Sequence, residues 1–194
     1  MAIKFGQKIK TEGSAKNYWV TSDLHFYHKG VLNFCPATRP WISVEDMNEG
    51  LVSHWNETVS VVDEVLFLGD FSFRGREATE AILTRLHGNI TFVLGNHDRT
   101  LREQIDGLTT YDYLEFKFND TKVCALHFPI AAWNQQGRGS IQLYGHCHGN
   151  YQGEGRQIDC GWDAHGRLIS LQEAVDTCLG RDIYCPDHHK IVEK

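Results

Sequence analysis

Apolar residues along this chain fall into short runs, and each run stops at a polar cluster. Residues 17–22, NYWVTS, are β-branched and aromatic and lead directly into Asp23-Leu24-His25, which predicts a strand ending in a polar loop. From Val44 to Val59 the apolar positions Val44, Met47, Leu51, Trp55 and Val59 recur at steps of three and four behind Ser43. That spacing predicts an N-capped amphipathic helix of about four turns. Glu64 to Leu68 reads as the next strand and stops at Gly69-Asp70, and residues 77–87 read as a second helix with Ala78, Ile82 and Leu86 on one face and Gly88 as its stop. The strand Ile90 to Leu94 then opens into Gly95-Asn96-His97-Asp98.

The second half is richer in strands. Tyr113 to Phe118 and Thr121 to Leu126 flank Asn119-Asp120, as in a hairpin, and the second of them ends at His127. Ile141 to Tyr144 ends at Gly145-His146-Cys147-His148, Arg156 to Cys160 and Arg167 to Ile169 read as further strands, and Ser170 with Glu173 forms a capping box for a short helix. No internal repeat or low-complexity linker interrupts the pattern. The expectation is one domain over residues 1–194 with an α/β fold: a four-layer αββα sandwich of two packed mixed β-sheets flanked by helices.

Composition narrows the function classes. At 194 residues with 41% hydrophobic positions, the chain is long enough for a sizeable core. It has no run of ~20 apolar residues to span a bilayer, and the lysine-containing N-terminus lacks an apolar signal region, so a cytoplasmic location without a membrane partner is expected. The six cysteines lack the dense pattern of a secreted scaffold and are expected as free, mostly buried thiols. A net charge of −6 argues against broad affinity for extended nucleic acid.

The polar clusters carry the chemistry. Neighbouring strands share an edge, so their exit loops converge. This chain places Asp23 and His25, then Asp70, then Asn96, His97 and Asp98, then His127, then His146 and His148 at five such exits. Mixed carboxylate, amide and imidazole donors of this kind suit divalent metal ions, and two such ions can together supply a strong nucleophile near neutral pH and neutralise developing negative charge. Asp70 suits the bridge between them, because one carboxylate can hold two metals.

Asp-x-His, Gly-Asp, Gly-Asn-His-Asp, a lone His and Gly-His-x-His, in this order, resemble the calcineurin-like binuclear metallophosphoesterases. The resemblance spans about residues 18–172, including Asp159-Cys160-Gly161-Trp162-Asp163, and the run Asp23-Leu24-His25-Phe26-Tyr27-His28 is similar to that of small prokaryotic or phage members. It implies that Asp23, His25 and His148 complete one metal site and Asn96, His127 and His146 the other. It also implies that a metal-bridging hydroxide attacks phosphorus in line, and that His97 meets the substrate phosphate as transition-state stabiliser or general acid, with Asp98 orienting its ring. The mixed donors suit Mn²⁺, with Fe, Zn or Ni as alternatives.

Several residues keep two readings. His28 either touches substrate or caps the local helix. Arg39 can meet phosphate and Phe34 or Trp41 can stack on a base, or all can serve packing. Arg74 and Arg99 are phosphate contacts or solvated surface charge. Cys178, Cys185, His188 and His189 are a zinc site of unfamiliar spacing or a polar tail. The expected activity is hydrolysis of a small, nucleotide-like phosphodiester; the alternatives are a nuclease acting on DNA or RNA and a non-catalytic, metal-stabilised binding protein.

Overall fold

The alternation of strand and helix is built as two five-stranded sheets in the computed structural model, which describes residues 2–103, 105–184 and 186. In chain order the elements are β1 (Lys8–Ile9), β2 (Tyr18–Thr21), α1 (Val31–Phe34), α2 (Val44–Thr58), β3 (Glu64–Phe67), α3 (Arg76–Leu83), β4 (Asn89–Val93), α4 (Arg99–Glu103), β5 (Thr109–Tyr111), β6 (Leu114–Phe118), β7 (Thr121–Ala125), β8 (Ile141–Tyr144), β9 (Gln157–Asp159), α5 (Trp162–His165), β10 (Ile169–Ser170) and α6 (Leu171–Leu179). The first sheet runs β10-β2-β3-β4-β5 and the second β1-β6-β7-β8-β9. Both are mixed: β2 to β5 are parallel with β10 antiparallel at the edge, and the second sheet contains the antiparallel β6–β7 hairpin among parallel pairs. The expected α/β sandwich of two packed mixed sheets with helices is therefore the observed fold.

The period of two along β3 sorts its side chains. Leu66 and Leu68 point between the sheets, where they meet Val20, Val93, Phe116, Val123 and Leu143. Val65 and Phe67 point outward, onto Met47, Leu51 and Trp55 of α2 and Ile82 of α3. This is the arrangement parallel strands require, because each crossover helix covers a sheet face. Helix α6 adds Leu171, Ala174, Val175 and Cys178 to the core between the sheets. The outer face of the second sheet is polar and is covered by chain 128–140: Gln142, fully buried, donates to Phe128 O at 2.9 Å and accepts from Ile130 N at 3.2 Å.

Ser43 caps α2 through Asp46 N–H, and Ser170 caps α6 through Glu173 N–H, as their sequences predict. The helix expected over 77–87 ends at Leu83. Beyond it Arg85 and Leu86 tighten to bonds three residues back, and His87 is drawn against α2 by Trp55 Nε1 and Asn56. Gly88 still marks the stop, at φ +88°, where a Cβ would press on Val59. The five described cysteines are free thiols, and Cys124, Cys160 and Cys178 are buried. Cys178 packs in α6, whereas Cys185, His188 and His189 lie outside the described residues. Among the described residues no helix is long and apolar enough to cross a membrane.

Candidate metal centre

Parallel pairing puts the exits of β2, β3 and β4 along one edge of the first sheet and those of β7 and β8 along one edge of the second. A bridge between Ser22 and Gly161 joins the sheets there. The loop after β2 lies against the loop after β3, with Asp23 N, His25 N and Phe26 N donating to the carbonyls of Gly69, Asp70 and Phe71. Asp23, His25, Asp70, His146 and His148 all have left-handed backbones, with φ between 49° and 69°. Such conformations are unfavourable for residues with a Cβ and persist only where surrounding bonds enforce them. Here they turn alternate side chains inward. Gly69, at φ +96°, lets three loops touch, since a Cβ there would stand 2.5 Å from His127 Nδ1.

Two groups of donors result at the strand exits, and a third, Cys35, His148 and Asp163, shares His148 but has its carboxylate already bonded to Arg39. Atoms of Asp23, His25 and His148 lie within 4.8 Å of one another, and so do atoms of Asp70, His127 and His146. Asp70 stands between the groups, its Oδ2 being 3.7 Å from His25 Nε2 and 3.5 Å from His127 Nε2. Its other oxygen accepts His97 N–H at 2.9 Å. Asn96 Oδ1 is 3.1 Å from His127 Nε2. Asp23 Oδ2 takes Ser22 Oγ–H and His146 N–H, which leaves Asp23 Oδ1 buried without a partner, as are both ring nitrogens of His25. Orphaned buried acceptors are costly, and a cation would satisfy Asp23 Oδ1 and the lone pair of one His25 ring nitrogen. The carboxylate and imidazole donors fit a divalent transition metal.

The charges of the site are interdependent. Burial raises the Asp70 carboxyl, but bonds from His127 and from His97 N–H outweigh it and bring its pKa down to about 2. Burial opposes charge on His127, yet Asp70 and Asp23 hold its ring above the ordinary imidazole range. The same contest raises His148, with Asp163 and Asp23 outweighing burial. His146 is lowered by burial and by His127, and His28 falls to about 4 through burial and its neighbours His25 and His97.

His97 stands at the mouth with its side chain 46% exposed, Nε2 lying 3.9 Å from Asp70 Oδ2. His28 joins the site as well, stacked on Phe73 at 3.9 Å with the rings 9° apart. Asp98 does something other than orient His97: its two oxygens accept the backbone N–H groups of Asp70, Phe71 and Gly95 at 2.7–2.8 Å, so it clamps two ligand loops together. Arg39 is also reassigned, because its guanidinium is buried and bonded to Asp163, Asp23 O and Leu24 O, out of reach of phosphate. Trp41 packs against Trp162, 6.1 Å away, while Phe34 remains 75% exposed, edge-on to His28. Arg74 lies over the Tyr27 ring, and Arg99 pairs with Glu103 one turn along its own helix.

Sequence reasoning passed over Phe73, and it named Asp163 only as part of the Asp159–Asp163 run, without a role. Phe73 approaches His97 to 4.5 Å and is 37% exposed. Its signal is an aromatic three residues beyond Asp70, in the exit loop of a strand whose end already carries a ligand. Asp163 bonds His148 Nδ1 at 2.6 Å. Its signal is an acidic residue in the first turn of a helix opening directly from a strand exit.

Residues 16–185 match the sequence model of the family described as calcineurin-like phosphoesterase. An uncharacterised protein of Methanocaldococcus jannaschii is 32% identical over 143 residues, covering 73% of this chain and 74% of that protein. The gene 66 protein of Mycobacterium phage L5 is 27% identical over 195 residues, covering 82% of this chain and 93% of its own. Among solved structures, a protein of unknown function from Aquifex aeolicus superposes with a TM-score of 0.63 at 20% identity, over 84% of this chain and 98% of that one.

Proposed function

The chain belongs to the calcineurin-like phosphoesterases, metal-dependent hydrolases of phosphoesters, and we propose that it cleaves a small nucleotide-like phosphodiester at a binuclear centre. The observation that carries this reading is the position of Asp70 Oδ2, within 4 Å of a ring nitrogen from each donor group. Asp23, His25 and His148 would hold one ion and Asn96, His127 and His146 the other, with Asp70 between them. Mn²⁺ is the ion proposed, with Fe, Zn and Ni as alternatives for this mixture of carboxylate and imidazole donors. Two divalent ions bound there would supply a water nucleophile near neutral pH and neutralise the non-bridging phosphate oxygens.

The protein's own groups do the rest. His97 donates to the phosphate or to the departing oxygen, with its main chain fixed by Asp70 Oδ1 and its ring resting against Phe73. Phe73, Phe34 and His28 form an aromatic edge beside it. His28 is neutral there, so it adds stacking surface rather than charge. Phe128 edges His146 on the other side, 4.6 Å away. One base fits this description better than a long strand, for which a basic track would be needed.

The test is turnover of bis(p-nitrophenyl) phosphate by the purified, manganese-loaded protein. A panel of cyclic nucleotides, nucleoside monophosphates, dinucleoside polyphosphates and single-stranded nucleic acid follows. Metal-dependent turnover that is best on a small nucleotide diester is expected. Preference for oligonucleotides would make the protein a nuclease, and no turnover with any divalent metal would make it a binding protein.

A further inference from the structure

An imidazole binds a metal through one nitrogen only if the other carries the proton and is held in place. His148 turns Nε2 toward Asp23 Oδ1, 3.9 Å away, and Nδ1 toward Asp163 Oδ2, 2.6 Å away. A carboxylate accepts, so the proton sits on Nδ1 and the lone pair of Nε2 faces the first donor group. Asp163 is itself gripped by Arg39, whose Nε donates to Oδ1 at 3.0 Å and Nη2 to Oδ2 at 2.9 Å, and Thr38 Oγ–H adds a further bond. The pair is dry, with side-chain exposures of 0% and 2%. The remaining guanidinium N–H groups reach the other end of the same cluster, Nη2 to Asp23 O at 2.6 Å and Nη1 to Leu24 O at 2.9 Å. Asp23 is one of the left-handed residues, at φ 56°.

The second donor group is built differently. His127 Nδ1 meets a main-chain carbonyl, Leu68 O, at 2.7 Å. No charged pair stands behind it in that contact.

We infer that Arg39 and Asp163 are positioning residues for one half of the centre. Asp163 sets the tautomer and aim of His148, and Arg39 fixes Asp163 while pinning the strained main chain of Asp23. The inference rests on the binuclear reading above and makes the two sites unequal: the Asp23, His25 and His148 site depends on the pair, and the Asp70, His127 and His146 site does not. Carboxylate partners of this kind are generally worth ~10- to 100-fold in metal affinity. Arg39→Lys should act in the same direction as Asp163→Asn, since an ammonium cannot span one carboxylate and two carbonyls at once.

The experiment is calorimetric titration of the metal-free protein with Mn²⁺, for wild type, Asp163→Asn and Arg39→Lys. Two binding events in the wild type, with only one weakened by roughly 10- to 100-fold in each variant, is the expected result. Equal affinity at both sites in wild type and variants would overturn the inference while leaving the binuclear centre intact. Equal weakening of both sites, together with a lowered melting temperature of the metal-free variants, would overturn it in favour of a purely structural ion pair. Absence of two binding events in the wild type would instead remove the binuclear reading itself. Nitrogen-15 NMR of the zinc-loaded wild type needs no variant: His148 should carry its proton on Nδ1 with Nε2 on the metal, and the reverse would refute the assignment.

Discussion

The two oxygens of Asp70 have different tasks: Oδ1 holds the His97 main chain, and Oδ2 faces both donor groups. Asp70→Asn keeps an acceptor for His97 N–H but removes the charge between the two proposed cations. Metal content should fall towards zero, and elemental analysis that still finds two tightly bound ions per chain would refute the bridge. His97→Ala should leave both metals in place and lower the catalytic rate by about 10²- to 10⁴-fold. If His97 protonates the leaving oxygen, that loss shrinks for substrates with acidic leaving groups. Asp98 separates from His97 in kind. Its carboxylate answers three buried backbone N–H groups, and Asn offers one oxygen and an amide that opposes the same donors. Asp98→Asn should therefore cost about 1–3 kcal/mol of stability in the metal-free protein, visible as a lower melting temperature that His97→Ala does not share. An unchanged melting temperature would return Asp98 to the role of orienting the imidazole.

At the scale of elements, the ends of the strands have opposite duties. The C-terminal ends carry strained donors, whereas the N-terminal ends of β2 and β3 are tied by one carboxylate, Asp63, which accepts Asn17 N–H and Ser60 N–H and the Trp19 indole N–H at 2.9–3.0 Å. Burial opposes ionisation of Asp63, but these donors prevail and bring its pKa down to about 2. A depressed carboxylate stabilises the fold above the unfolded value of ~3.9 and loses that contribution as pH falls toward the folded value. Wild-type stability should therefore fall between about pH 4 and 2, with a shallower fall in Asp63→Ala, measured by urea unfolding across that window. Parallel slopes would remove Asp63 from the acid response. Of the elements bearing this architecture, α2 was legible from its three- and four-residue spacing, and β3 and β8 from short runs, buried at every position, that stop at polar clusters. The pieces β1, α1, α4, β5 and α5 were not, since they show neither an apolar run that stops at a polar cluster nor enough length for a helical period. The convergence of the ligand loops was legible from order alone. The partners of Arg39 and Asp98 were not, because Arg39 meets Asp163 from 124 positions away and Asp98 meets the amides of Asp70 and Phe71 across two loops.

For the whole molecule, the question is how it meets a polyanion. The chain has 19 lysines and arginines against 25 aspartates and glutamates, a net charge of −6. Of the arginines once available as phosphate contacts, Arg39 is buried on Asp163, Arg99 is matched by Glu103, and Arg74, over the Tyr27 ring, is one cation rather than a track. The positive field at the site therefore comes chiefly from the proposed metals, which reach one scissile phosphate rather than a row of them. A protein that holds a long nucleic acid through many phosphates releases a counterion at each contact, so its affinity falls by ~10³ to 10⁵ between 50 and 200 mM salt for six to ten contacts. A compact diester held by its scissile phosphate and one base stacked near Phe73 escapes most of that loss. Catalytic efficiency on the best substrate should thus change by less than about tenfold over the same salt range. Initial rates at subsaturating substrate, measured at several salt concentrations for a mononucleotide diester and for a matched oligonucleotide, decide it. A steep slope together with preference for the oligonucleotide would require a phosphate track that this surface charge does not provide, and the small-diester reading would give way to a nuclease.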